Sequence, residues 1–289
     1  LANGISDDSL SITALATTAP IIVAPAMDAN MFHNPAFQSN LSTILKRGIK
    51  VIGPNEGYLS SGEIGKGRMS EPPEISGHIS WVLGQKGDLE GRSIVISAGG
   101  THEPIDPVRI ITNRSSGKMG YAIAEAARDR GANVTLVSAS TNISPPVGVR
   151  VRIANTVEEM KREILGSCAF ADAVIMAAAI SDFRVSHFEP AKIKRQKTKE
   201  KIPLLLEENE DFSNQIPNNV IRVGFAAETE NLIENAKRKI TDKNLAFIVA
   251  NDVTIPNSGF EADTNQVTII DSDGSINPLP LISKLEVGH

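Results

Sequence analysis

At 289 residues and 41% hydrophobic content the chain is long enough for two modest cores, and no apolar run approaches the ~20 residues of a membrane span. Its formal net charge of −5 excludes a general nucleic-acid binder, which needs a concentrated excess of Lys and Arg. The single cysteine, Cys168, excludes an internal disulfide or a cysteine-cluster metal site and reads as a small core residue; with no basic-then-apolar leader, the expected location is cytoplasmic.

Residues 1–85 alternate short patterns: a helix over Ser9–Ala16, a strand at 21–24, a helix at 35–47, a strand at 50–52 and a helix at 74–83 stopped by Gly84. Two or three strands do not cover both faces of a parallel sheet, so this reads as the C-terminal part of a flavodoxin-like α/β domain with more chain expected before it. Residues 86–92 are polar and glycine-rich, the composition of a linker.

Residues 93–289 form the second predicted domain. A strand over Ser93–Ala98 leads through a long loop to a helix whose apolar residues Met119, Ala122, Ile123, Ala126 and Ala127 run to Gly131. Strands follow at Asn133–Ser138 and 149–153, then a helix at 157–165 opened by the capping box of Thr156 and Glu159, and a strand at 173–178. A strand from Val223 enters a helix carrying Lys239 and Lys243 on one face, and strands at 245–250 and 266–270 end the pattern, the last followed by a hairpin turn at 271–274. The alternation predicts an α/β fold with a Rossmann-like, mainly parallel sheet and ligands at the C-terminal strand ends.

Four stretches fall at such ends. In the first, Gly99 and Gly100 remove Cβ atoms, Ser115, Ser116 and Gly117 offer hydroxyls and N–H groups at a helix start, and Lys118 adds charge, a combination suited to an anion. Simple capping by Ser115 or Ser116 requires neither Thr101, Glu103, Asp106 and Arg109 in one connection nor a connection this long, so the loop reads as functional. The second stretch is Met176, Ala177 and Ala178 with Asp182, whose carboxylate either faces a magnesium–triphosphate or caps a turn. The third is the basic run 191–201, solvated in its later half but a neutralising flap where Lys192 sits beside a phosphate site. The fourth carries Phe225, Lys239 and Lys243, the lysines also suiting a helix C-terminus. In residues 1–85 two loops stand out, 25–31 (PAMDANM) and the glycine-rich flap 62–72.

The run from Gly99 to Gly120 resembles the pattern GGTxEPIDPVRxITNRSSGKMG of the phosphopantothenate–cysteine ligase family, the ligase half of the bifunctional coenzyme A biosynthesis protein. The resemblance implies activation of 4′-phosphopantothenate by CTP to an acyl-cytidylate and displacement of CMP by L-cysteine. It assigns catalysis to Asn113 and Lys192, and the nucleotide to Met176, Ala177, Ala178, Asp182, Lys192, Phe225, Lys239 and Lys243. Phosphopantothenate falls to Gly99, Gly100, Thr101, Arg109, Ser115, Ser116, Gly117 and Lys118, with Mg²⁺ at Asp182 and a homodimer formed through this domain. The segment 208–211 departs from the family's KNPD, with Glu208 and Glu210 in place of Lys and Pro.

Residues 1–85 resemble the flavin-dependent phosphopantothenoylcysteine decarboxylase that precedes the ligase in that protein. Asp28 stands where that family has Asn and Ser61 where it has a cysteine. A serine hydroxyl is a far weaker acid than a thiol, so this segment is expected to be inactive and FMN is not expected on this chain alone; the missing decarboxylase half is an expected partner. A nicotinamide-dependent dehydrogenase would share the sheet, but Gly99-Gly100-Thr101 lacks the GxGxxG spacing. Asp28, Ser61, Glu208 and Glu210 leave open a non-catalytic scaffold or sensor of the same pathway, and base choice leaves open an ATP-using ligase.

Overall fold

In Ser93–Ala98, Ile94, Ile96 and Ala98 face one apolar layer while Val95 faces another, the two-residue period of a strand buried on both sides. That strand sits centrally in the second of two units, Leu1–Leu83 and Gly84–His289, of the computed structural model, which describes residues 1–194, 202–228, 230–252, 254–259 and 261–289. The later half of the basic run, 195–201, and Thr229 lie outside the described residues.

The second unit is built on an eight-stranded sheet. Its strands are β1 (Ser93–Ala98), β2 (Asn133–Ser138), β3 (Arg150–Ile153), β4 (Ala173–Met176), β5 (Ile221–Glu228), β6 (Phe247–Asp252), β7 (Val267–Asp271) and β8 (Ile276–Pro278). Their spatial order is β3-β2-β1-β4-β5-β6-β7-β8. The run from β3 to β6 is parallel, as the Rossmann-like expectation has it, and β7 and β8 join antiparallel. Helix α1 (Lys118–Asp129) lays Tyr121, Ile123, Ala124 and Ala127 on the Ile94–Ile96 face, and α2 (Val157–Cys168) lays Met160, Ile164 and Cys168 on the other. A third helix, α3 (Leu232–Lys243), packs Ala236 and Ile240 on β5, β6 and β7. Burial pushes the Cys168 thiol up to about 11, which suits an inert core residue.

Strand numbers rise outward in both directions from the β1/β4 pair, so the chain leaves these strands on opposite sides and opens a crevice beyond their C-terminal ends. Register places Met176 between Ser97 and Gly224, so β1 and β4 end at that level while β5 runs on to Glu228 beside the crevice. The predicted Thr156–Glu159 capping box opens α2. Two features differ from the sequence reading. The loop after β1 holds an antiparallel hairpin, His102–Pro104 with Ile110–Thr112, whose arms are too short for a periodic signal. Residues 86–92, read as a linker, are docked: Leu89 N–H donates to the Arg130 carbonyl at 2.9 Å and Asp88 pairs with Arg130 at 2.6 Å.

In the first unit Ile22–Val23 pairs parallel with Lys50–Val51, and the glycine-rich flap proves to be one arm of an antiparallel hairpin, Asn55–Tyr58 with Ile64–Arg68. The two distinctive loops meet there: Met27 N–H donates to the Gly67 carbonyl at 2.9 Å. A Cβ on Gly67 would lie 2.0 Å from the Met27 carbonyl oxygen, so only glycine permits the approach.

Candidate active site

Beyond β1 and β4 the chain is stitched rather than open. Ala179 N–H donates to the Gly99 carbonyl at 2.8 Å, Thr101 N–H to the Ala179 carbonyl at 3.2 Å, and Ser181 N–H to Thr101 Oγ1 at 2.9 Å. Two adjacent clefts flank this seam, of about 290 and 320 Å³, and they share Ala178, Ala179, Phe225, Ala226 and Ala227 as a common wall.

The second cleft ends on the start of α1 and is lined by Asn113, Ser115, Ser116, Gly117 and Lys118. Neither serine is the N-cap: that position is Gly117, left-handed at φ 80°, with no side-chain cap hydrogen bond. A Cβ there would come within 2.8 Å of Thr141 Cγ2. The Lys118 N–H donates to Ser116 Oγ at 3.4 Å, and a first helical turn with a lysine beside it is an arrangement that suits an anion. Lys118 Nζ is anchored to Asp263 at 2.6 Å and to the Glu261 carbonyl at 2.8 Å. Asn113 Nδ2 donates to the carbonyls of Ile180 at 3.1 Å and Ala179 at 3.3 Å.

The first cleft is lined by Met176, Ala178, Asp182, Phe225, Lys239 and Lys243. Lys243 pairs with Asp211 at 2.8 Å, and although burial pushes the Asp211 carboxyl up, Lys243 and Ser213 hold it below its ordinary value. Arg222, 4% exposed, adds a buried cation to the wall, donating to the Lys243 carbonyl at 3.2 Å and Asn218 Oδ1 at 2.9 Å. The divergent segment 208–211 is ordered by its new charges, Glu210 meeting Lys161 at 2.7 Å, while Asn209 Nδ2 donates to the Ser181 carbonyl at 2.9 Å. Asp182 is exposed on this cleft. Among the described residues no three His, Cys, Asp or Glu side chains converge on a metal position.

Several residues that the sequence points to lie elsewhere. Gly99, Gly100, Thr101 and Arg109 line neither cleft, Ala177 lines only the second, and Lys192 lines neither. Thr101 is wholly buried as part of the seam, and Glu103 accepts from the Val157 N–H at 2.9 Å, so its carboxylate caps α2; burial raises it. Asp106, 2% exposed, accepts from the N–H groups of Val108 and Arg109 at 2.8 Å and of Ile193 at 3.1 Å, and pairs with the Arg109 guanidinium. Arg109 in turn donates to the Ile193 carbonyl at 3.2 Å. Arg109 thus pins the segment that carries Lys192. Four cleft residues carry no signal in the sequence: Asn251, Gly259, Asn265 and Lys284 enter the second cleft from the far end of the chain, outside any motif.

In the first unit Asp28 caps a five-residue helix, accepting from the Asn30 N–H at 2.9 Å, and Ser61 lies in the hairpin turn closed by Leu59 and Glu63.

Residues 89–289 match the family described as DNA/pantothenate metabolism flavoprotein C-terminal domain, and residues 1–83 match the Flavoprotein family. The chain is 43% identical over 296 residues to the Coenzyme A biosynthesis bifunctional protein CoaBC of Bacillus subtilis, covering 99% of this chain and 72% of that protein. The Haemophilus influenzae protein of the same name is 43% identical over 98% of this chain and 71% of its own length. A crystal structure of the C-terminal domain of a CoaBC protein matches with a TM-score of 0.58 at 37% identity, covering 69% of this chain and 91% of that one.

Proposed function

The chain belongs to the DNA/pantothenate metabolism flavoprotein family, and on that premise we propose that its second unit is a phosphopantothenate–cysteine ligase of coenzyme A biosynthesis that uses CTP. The observation that carries this reading is the pair of clefts with a common wall, one ending on the start of α1 at Ser116, Gly117 and Lys118 and the other lined by two lysines. Condensing a phosphorylated acid with a nucleotide requires the acid's carboxylate end and the nucleotide's α-phosphate to be held within bonding reach of each other. The phosphate of 4′-phosphopantothenate takes the start of α1, so its carboxylate reaches the wall at Ala178 and Phe225. CTP takes the other cleft, with Lys239 and Lys243 on its phosphates. The carboxylate attacks the α-phosphorus, pyrophosphate leaves and an acyl-cytidylate forms; the cysteine amine then attacks the acyl carbon, CMP leaves and an amide results.

Lys192 belongs to the first step, where negative charge grows on the departing pyrophosphate, and Asp106 with Arg109 sets its place. Asn113 belongs to the second. Its two partners are both acceptors, which turns the amide nitrogen toward them and leaves the oxygen to receive the cysteine amine. Asp182, exposed on the cleft, suits Mg²⁺ carried on a triphosphate, an ion that takes one or two carboxylates and phosphate oxygens; the ion would shield the triphosphate charge. A homodimer through this unit belongs to the same reading. In the first unit Asp28 is committed to a helix start and Ser61 offers no acidic proton, so we assign it no decarboxylation.

The test is pyrophosphate release from CTP or ATP with phosphopantothenate and Mg²⁺, with and without cysteine. Release with CTP and amide formation on adding cysteine support the reading. No nucleotide-dependent release turns it to a scaffold, and preference for ATP corrects the nucleotide. Carbon dioxide from phosphopantothenoylcysteine and FMN would overturn the assignment of the first unit.

A further inference from the structure

Lys284 opens the last helix, Lys284–Gly288, yet its side chain lies inside the molecule, 5% exposed, on the wall of the cleft that holds Ser116, Gly117 and Lys118. Lysine is almost never buried without partners. Its Nζ donates to the carbonyls of Gly259 at 2.7 Å and Ala262 at 2.5 Å. The same loop holds Lys118 through the Glu261 carbonyl and Asp263. Two ammonium groups therefore hold Gly259, Glu261, Ala262 and Asp263 between them.

Among the described residues the charges facing Lys284 are few. From α1 comes Lys118, from the loop Asp263, and Glu286 on its own helix is turned back onto Ser283 at 2.6 Å. Asp263 is 89% exposed, so solvent weakens its hold on either cation. Among the described residues these are two cations and one solvated carboxylate, next to the start of α1.

We propose that Lys284 is a positioning residue for the phosphorylated acid: it holds Gly259 and Ala262 so that Lys118, anchored on Glu261 and Asp263, stands at the start of α1, and its own proton is linked to binding of the dianionic phosphate. The inference rests on the reading of this cleft as the phosphopantothenate site. Burial first and Lys118 second lower the ammonium, with Asp263 opposing them, to about 8. In the free protein the charge is therefore lost as pH rises through about 8. A bound dianion favours the charged form, so the complex keeps the proton to higher pH and affinity falls only above that value.

The measurement is calorimetric titration of the full chain with 4′-phosphopantothenate alone, in buffers of different ionisation enthalpy. Cysteine and nucleotide are left out because the cysteine amine and thiol titrate in the same range, while the phosphate is already a dianion above about pH 7. The wild type is expected to bind about tenfold more weakly at about pH 9.5 than at about pH 7 and to take up protons on binding near pH 8. Lys284→Arg keeps the charge, so it binds with pH-independent affinity and takes up none. Lys284→Met is expected to bind at every pH about as weakly as the wild type does at about pH 9.5, roughly tenfold below the wild type at about pH 7. Should Lys284→Met fail to fold in a thermal melt, the Arg variant decides. A flat pH profile in the wild type, or equal proton uptake in Lys284→Arg, overturns the proposal while the site stands. No binding by the wild type at any pH overturns both, and is told apart by that absence.

Discussion

Burial pushes the Asp106 carboxyl upward, but the N–H groups of Val108, Ile193 and Arg109 and the Arg109 guanidinium outweigh it and hold it at about 2. A carboxyl depressed on folding stabilises fully above its ordinary 3.8 and loses that contribution as pH falls through the folded value. Melting temperature should therefore drop between those values in the wild type and less steeply in Asp106→Asn. At neutral pH Asp106→Asn should also slow pyrophosphate release, in the direction of Lys192→Ala, because the Ile193 anchor is lost. For Lys192→Ala a loss of about 2.7–4 kcal/mol, or ~10²–10³ in rate, is expected; unchanged release would return Lys192 to a solvated segment. Asn113 faces a harsher fate as aspartate than its near-equal shape implies, since a carboxylate would be set against the carbonyl oxygens of Ala179 and Ile180. Asn113→Asp should lower the melting temperature and make acyl-cytidylate accumulate over amide in a quenched time course. Equal rates for both steps in the folded variant would remove Asn113 from the second step.

At the scale of elements, close approach of α1 to β1 positions the helix start that lines the second cleft. A Cβ on Gly120 would stand 2.5 Å from Ala98 Cβ and 2.8 Å from the Ser97 carbonyl, so Gly120→Ala forces the helix outward. Overpacking of this kind costs about 1–3 kcal/mol. Thr101→Val leaves the buried Ser181 N–H unpaired and should cost a similar ~1–3 kcal/mol. Both losses are read from the denaturant midpoint at unchanged slope, and Gly120→Ala should raise KM for phosphopantothenate while Thr101→Val disturbs both clefts. The main helices and sheet strands of this unit were legible in the sequence because their apolar residues repeat at 3.6 or 2. The hairpin of His102–Pro104 and Ile110–Thr112 was not, since three-residue arms carry no period and its closure depends on Asp106 collecting distant N–H groups.

For the whole molecule, the second unit carries cores on both faces of its sheet, made from its own residues. Residues 84–289 expressed alone should fold, melt cooperatively and release pyrophosphate with CTP; an unfolded fragment would show that this unit depends on the rest of the chain. The sequence by itself determined the kind and order of most elements, the parallel sheet, and the loops at its C-terminal edge, including Ser115, Ser116, Gly117 and Lys118 at a helix start. These follow from local periodicity and local backbone chemistry, which a sequence states directly. Only the tertiary structure decided what each polar side chain in those loops does. Thr101, Glu103, Asp106 and Arg109 sit in the same loop as the cleft residues, yet they spend their hydrogen bonds on Ser181, α2 and Ile193. Asn265 and Lys284, without any motif, reach the cleft because the chain returns there between β6 and β7 and again after β8. A buried polar group must find a partner, and that partner is chosen by proximity in space.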